Sequence, residues 1–203
     1  MANTNAPSGL APVGYLNGAP WTGGGNVYCI PDTDDTNAYA IGDPVMLAGG
    51  ADANGVPTIT LATAGTGNIV LGAIVSGAGA LGYGSSYGVP QDSPIVIPAT
   101  KTRNYYVLVA DDPNTIFEIQ EDSVGGSIAA TDISNNYNLI SGNNNGYVSG
   151  WMLDSSSKAT TATLQLKIIR ASQRQGNTFG TDYCKFQVII NNHAYRIGQA
   201  GTA

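Results

Sequence analysis

The fold class is decided by the stretch Cys184-Lys-Phe-Gln-Val-Ile-Ile190, in which apolar side chains recur at every second position. A period of two places successive side chains on opposite faces of a β-strand. The segment Ala162-Thr-Leu-Gln-Leu-Lys-Ile168 repeats the pattern, with threonine, glutamine and lysine between the apolar residues. Both segments therefore predict strands that have one buried face and one wet face.

Further β-prone runs lie upstream, between turn residues. They predict strands at residues 27–30, 45–47, 58–61, 69–75, 95–97, 105–110 and 116–120. The prolines that accompany them flank the runs, as expected because proline cannot donate to a strand ladder. Apolar spacing of three and four is not sustained, so we expect at most one short helix, around residues 128–135. The pattern predicts a mostly β protein, a single β-barrel or jelly-roll-like sandwich.

Residues 1–26 differ in composition from the rest of the chain. Prolines and glycines recur there, and we expect an extended, irregular N-terminal arm that precedes a β domain at residues 27–203. The arm nevertheless carries large apolar side chains that predict docking onto another surface. They are Leu10, Val13, Tyr15, Leu16 and Trp21.

An energy comparison indicates how such an arm becomes ordered. Each of the five apolar anchors contributes about 1.5–3 kcal/mol if fully buried, whereas ordering each arm residue costs about 1–2 kcal/mol. The side chains alone cannot order the arm. We therefore expect the arm to be mobile in the free protein. On binding, its backbone is expected to pair with an exposed sheet edge on a neighbour, and multivalency across many positions to supply the remaining affinity.

The charge distribution argues against nucleic-acid binding. The net charge is −6, and all eight lysines and arginines lie after position 100, whereas a phosphate backbone requires clustered cations. We also expect no membrane partner, because the most apolar stretch, residues 69–82, is too short for a spanning helix. The N-terminal residues do not resemble a secretory signal, so we expect synthesis in the cytoplasm.

Cysteine and acidic residues offer little metal chemistry. Cys29 and Cys184 are far apart in apparent strands, which favours two buried, reduced thiols, although the sequence leaves open whether they pair. The run Asp32-Thr-Asp-Asp35 lacks the remaining ligands of a calcium loop and predicts an acidic turn. We expect neither a metal nor a cofactor.

Two short patterns match the spacing of enzyme motifs. Gly77-Ala-Gly-Ala-Leu-Gly82 has dinucleotide-binding spacing, but no helix can follow it. Gly84-Ser-Ser-Tyr-Gly88 has nucleophile-elbow spacing, but Val89-Pro replaces the required helix. A hydrolase built on Ser86 and His193 stays a minor alternative, and we expect no catalytic residue.

Aromatic side chains give the main alternative. Tyr83, Tyr87 and Trp151 are a candidate surface contact, since aromatic rings on a rigid β scaffold stack against sugars. They predict a glycan-binding adhesin-type β domain. Aromatic residues are equally common at protein interfaces.

The strongest family resemblance lies in Tyr106-Val-Leu-Val-Ala-Asp-Asp-Pro-Asn-Thr-Ile-Phe-Glu-Ile-Gln-Glu-Asp122 and Gly125-Gly-Ser-Ile-Ala-Ala-Thr-Asp132. These segments resemble the cement or decoration proteins of tailed-bacteriophage heads, including those of podoviruses. Four shorter runs resemble the same group: Asn5-Ala-Pro-Ser-Gly-Leu-Ala-Pro-Val13, Tyr15-Leu-Asn-Gly18, Ile41-Gly-Asp-Pro44 and Thr160-Thr-Ala-Thr-Leu-Gln-Leu166.

The resemblance implies a structural virion protein without catalytic residues. Such a protein has a β-barrel or jelly-roll-like body on the outer capsid surface, where it cements neighbouring copies of the major capsid protein and stabilises the head. It also implies self-association, as a homodimer or homotrimer. Similar openings often carry an aromatic residue at the place of Ser8 and a basic one at Ala11, so the arm contacts of this chain are expected to differ.

Overall fold

The computed structural model describes residues 2–77 and 96–196, and within them the chain is almost entirely β. The described strands are β1 Ala11–Tyr15, β2 Asn26–Ile30, β3 Pro44–Ala51, β4 Pro57–Leu61, β5 Gly72–Gly77, β6 Tyr105–Ala110, β7 Thr115–Gln120, β8 Asn136–Ile140, β9 Met152–Ala159, β10 Leu166–Ala171 and β11 Lys185–Ile190. A single 3₁₀ turn at Ala130–Asp132 is the helix that these residues contain. The mostly β prediction is confirmed.

Six strands form an open antiparallel sheet in the order β1-β7-β11-β10-β8-β9. At its centre β10 and β11 pair so that Leu166 lies opposite Ile190 and Ile168 opposite Val188. All the alternating apolar residues of the β11 segment are buried, as predicted. β10 begins later than predicted, because Leu164 closes a turn on the carbonyl of Thr161.

The remaining five strands form a closed barrel in the order β2-β4-β3-β5-β6. Neighbouring strands are antiparallel except β2 and β4, which meet in parallel at Cys29 and Thr58. The barrel encloses its own apolar core. The members of that core include Tyr28, Ile30, Tyr39, Val45, Ile59, Leu71, Val107 and Val109.

The barrel and the open sheet pack together as two β layers. Val70, Ala73 and Ala110 from the barrel side share one apolar cluster with Phe117 and Phe186 from the sheet. The chain crosses between the layers at residues 111–114, which join β6 to β7. Cys29 and Cys184 are both buried free thiols, as predicted.

The structure departs from the predicted strands at several places. β8 and β9 were not predicted, because asparagines interrupt the first and three serines the second. In the predicted strand at residues 95–97, Ile97 makes an isolated bridge to Tyr39. Among the described residues, no helix combines the length and apolar content needed to span a bilayer.

The predicted irregular arm is wrong for its central part. Residues Ala11–Tyr15 form β1, which pairs with β7 of the same chain and completes the open sheet. Leu10, which was predicted to contact a partner, is fully buried in the shared core of its own subunit. The physical reason is that the edge of β7 satisfies the backbone hydrogen bonds of the arm, which the energy comparison had assigned to a neighbour.

Candidate interaction surface

The arm folds back on itself as a hairpin, here called the arm hairpin, that comprises residues 11–21. The N–H of Gly18 donates to the carbonyl of Tyr15 at 2.9 Å, and the N–H of Tyr15 donates to the carbonyl of Ala19 at 2.9 Å. Gly18 has a φ of +86°, a conformation that glycine adopts without steric cost. The returning strand bridges Gly14 to Pro20. The outer edge of β1 is therefore partly covered by its own chain.

The inner edge of the arm hairpin pairs with β7 through a bulged ladder. Strands β2–β11 are here called the body. Pro12 lies opposite Phe117 and Gly14 opposite Ile116, so Val13 is the extra residue of a β-bulge. Bulges are common at sheet edges, where they redirect a side chain. At the hairpin tip, the N–H of Leu16 donates to the carbonyl of Asn114 at 3.0 Å. The hairpin is thus braced at both ends.

The apolar side chains of the arm hairpin differ in exposure. Val13 on the bulge is 40% exposed and Leu16 at the tip is 48% exposed. Tyr15 and Trp21 are half-buried, and the indole N–H of Trp21 donates to the carbonyl of Gly24 at 3.2 Å. Four of the five predicted contact residues therefore remain accessible, and Leu10 does not.

The arm hairpin itself carries no charged side chain, although the exposed Asp112 lies in the loop whose Asn114 accepts the N–H of Leu16. No side chain before Asp32 is acidic or basic. The arm hairpin consequently offers apolar groups together with asparagine and backbone polar groups. Such a surface can be desolvated without removing an ion from water.

The residues before the hairpin are clamped onto the body by neutral polar groups. The Asn3 carboxamide donates to the carbonyl of Thr178 at 3.0 Å and accepts the N–H of Thr178 at 2.7 Å. Gln120 accepts the N–H of Ala6 at 2.8 Å and donates to the Asn5 side chain at 2.8 Å. Sequence reasoning missed these partners, because asparagine and glutamine carry no pattern that identifies a distant contact.

The predicted aromatic platform is not supported by its described member. Trp151 is 5% exposed and belongs to the same apolar cluster as Leu10 and Phe117. Its predicted role as a surface contact is therefore wrong, because its side chain is buried in the apolar cluster that the barrel and the open sheet share. Tyr83 and Tyr87, together with both glycine-rich motifs beyond Gly77, lie outside the described residues.

His193 is a buried histidine with a local hydrogen bond. It is 3% exposed, and its Nδ1 accepts the N–H of Tyr195 at 3.0 Å. Burial, assisted by the positive charge of Arg196, lowers the pKa of His193 to about 4, although Asp111 opposes the shift. The Nε2 atom has no access to solvent. Ser86, its suggested partner in a hydrolase, lies outside the described residues.

A buried cation, Lys101, lies against the predicted acidic turn at residues 32–35, and the sequence did not reveal this contact. Lys101 is 7% exposed, and its ammonium donates to the backbone carbonyls of Asn37 at 2.7 Å and Ala99 at 3.0 Å, and to that of Asp34. Burial alone would raise the pKa of Asp34, but hydrogen bonds from Tyr39 and Asn37 and the charge of Lys101 hold that pKa below its usual value. Lys101 therefore joins two loops of the barrel.

Other features of the described surface give weaker signals. Exposed apolar side chains also occur at Ile41, Leu47, Ile69, Val124, Tyr147, Phe179 and Tyr195, and of these Ile69 and Tyr195 line one open pocket with His193. Exposed apolar side chains are common on folded proteins. Within residues 2–77 and 96–196, no three His, Cys, Asp or Glu side chains come together in a way that could hold a metal.

Comparison with known proteins gives no assignment. No protein-family model, no curated protein and no solved structure matches this chain.

Proposed function

We propose that this protein is a structural component of a tailed-bacteriophage head, which binds the outer capsid surface and cements neighbouring major capsid proteins. The proposal rests on the segment resemblance at residues 106–122 and 125–132. The observation that carries it is the arm hairpin, which holds Val13 and Leu16 outward on a backbone that is already hydrogen-bonded.

The energetics of a braced hairpin favour binding. Val13 and Leu16 are each about half exposed, so burying the remainder contributes about 1 kcal/mol per side chain. The ladder with β7 and the bond from Leu16 to Asn114 order the backbone in the free protein. The ordering cost that would otherwise oppose binding has therefore largely been met during folding.

A small contact of this kind becomes effective when it is repeated. Two apolar side chains alone give weak attachment, but an oligomer that presents several hairpins to a regular shell gains avidity. The proposal therefore includes self-association as a homodimer or homotrimer. Location on the virion, after synthesis in the host cytoplasm, follows from the same proposal.

The absence of charged side chains from the arm hairpin indicates what kind of capsid surface it contacts. Because the arm hairpin carries no charged side chain at neutral pH, its complement is an apolar, uncharged patch of capsid protein. Attachment should then depend little on ionic strength, unlike binding to nucleic acid, which weakens steeply with salt.

The alternatives receive less support from the described residues. A glycan platform loses Trp151 to the core. A hydrolase would need a base that reaches substrate, whereas Nε2 of His193 is shielded from solvent.

Co-sedimentation with empty heads of the phage that carries the gene tests the proposal. Wild-type protein is expected to pellet with the heads at near-stoichiometric occupancy, in low and high salt alike. Leu16→Asp should remain in the supernatant, because binding would bury a carboxylate without a partner. Val124→Asp is the matched control, since Val124 is 76% exposed and lies outside the hairpin. Wild-type protein that stays soluble beside intact heads contradicts the proposal.

A further inference from the structure

The arm is joined to the body by a short, exposed linker. Residues 22–25 connect Trp21 to β2, and each of them is exposed. Gly23 has a φ of +91°, and a Cβ placed there would meet no atom within 4 Å. The linker thus turns at Gly23 in a conformation that other residues rarely adopt, in open space.

The arm of a second copy could make the same contacts with the body that the chain's own arm makes. β1 is a terminal edge strand, its only ladder partner among the described strands is β7, and Leu10 fills a site in the shared core. An identical arm from another copy presents the same groups to the same edge. Exchange of an identical element between protomers therefore requires no new interface.

We propose that residues 2–21 exchange between two copies of this chain, so that β1 of each copy completes the open sheet of the other. The occupant of the β7 edge in the exchanged form is the arm of a second copy. The linker straightens at Gly23, and this turn is the element that differs between the closed and exchanged forms. The inference goes beyond the proposed function, because it concerns the free protein and holds whatever surface the protein binds.

Substitutions at two glycines distinguish backbone strain in the linker from backbone strain elsewhere in the arm. Gly23→Val strains the closed turn and is relieved when the linker extends. Gly18→Val introduces a similar strain, at a φ of +86° in equally open space, but inside the hairpin that moves as a unit. A left-handed conformation disfavours a residue other than glycine by about 1–2 kcal/mol, roughly 5- to 30-fold. Each exchanged dimer relieves this strain in two linkers, so Gly23→Val should raise the dimerisation constant at least about tenfold. Gly18→Val should leave that constant unchanged.

The measurement is size-exclusion chromatography with light scattering, after unfolding and refolding at low and at high protein concentration. We expect monomer at low concentration, dimer at high concentration, and a larger dimer fraction for Gly23→Val. Monomer under every condition for both wild type and Gly23→Val overturns the proposal, as does equal dimer enrichment by Gly18→Val.

A disulfide identifies which arm occupies the edge. Ala11 lies opposite Glu118 in the ladder between β1 and β7, so Ala11→Cys with Glu118→Cys reports their pairing, in a background of Cys29→Ala and Cys184→Ala. In the dimer fraction, oxidation is expected to give a covalent dimer on a non-reducing gel. A dimer that yields covalently closed monomers instead overturns the proposal.

Discussion

Replacing Leu10 by alanine removes the side chain that anchors the arm to the core. Leu10 is fully buried and belongs to the apolar cluster that joins the barrel to the open sheet. Core Leu→Ala substitutions cost about 2–5 kcal/mol, from lost transfer free energy and from the cavity left behind. We therefore expect a loss of about 3 kcal/mol in the free energy of unfolding, near the middle of that range.

Urea unfolding followed by fluorescence measures this loss, and native-state amide exchange locates it. The N–H of Leu10 donates to Gly42 and that of Leu16 to Asn114, so both amides should be protected in the wild type and lose protection in Leu10→Ala. Leu16→Ala is the control, since its side chain is 48% exposed and its stability should change by less than about 1 kcal/mol. A loss below about 1 kcal/mol for Leu10→Ala, or unprotected arm amides in the wild type, would show that Leu10 does not anchor the arm to the core.

The buried side chains of His193, Lys101, Cys29 and Cys184 each have a measurable consequence for stability or reactivity. The pKa of His193 is about 4 in the folded chain against 6.5 unfolded, so neutral His193 contributes stability that is present above pH 6.5 and lost as the pH falls towards 4. The difference in unfolding free energy between wild type and His193→Gln should therefore shift by up to about 3 kcal/mol over that range, and parallel curves would contradict it. Lys101→Met leaves backbone carbonyls without their cation and should lower the free energy of unfolding in urea by about 2–3 kcal/mol. Lys158→Met, which breaks only an exposed ion pair with Asp132, should lower it by less than about 1 kcal/mol. Equal losses would argue against a stabilising role for the buried ammonium of Lys101. Burial raises the pKa of Cys29 to about 12 and that of Cys184 to about 11, so a thiol reagent at pH 8 should label neither in native protein and both after denaturation, and rapid native labelling would show that a thiol is accessible.

The strands that could be predicted from the sequence are those in which buried apolar side chains recur at regular positions. β11 and β6 were predicted closely, because strands covered on one or both faces have apolar side chains at regular positions. β8 and β9 have polar side chains in the ladder itself, such as Asn136 and Ser155, whose partners lie elsewhere in the chain. The closure of five strands into a barrel depends on pairing between distant segments, and a period of two along one strand does not specify its neighbours.

The arm shows why the energy comparison failed. It counted the apolar anchors but gave the backbone no partner within the same chain, whereas β1 pairs with β7 and Gln120 accepts the N–H of Ala6.

The burial of Trp151 could not be predicted from its local sequence either. An aromatic residue after a glycine-rich loop has the same local sequence whether its ring faces solvent or the core, and only the packing of the two layers places it inside. Val13 and Leu16 were predicted as contacts, but the bulge and the turn that expose them come from the tertiary structure.

A cryo-electron microscopy reconstruction of the virion would show whether the arm hairpin attaches this protein to a lattice of capsid proteins, as we propose. We expect density for the two-layer β body on the outer face of the shell, with Val13 and Leu16 against an uncharged patch of a neighbouring capsid protein. A head without this density, or a bound body whose arm hairpin points into solvent, would show that the hairpin is not the attachment site.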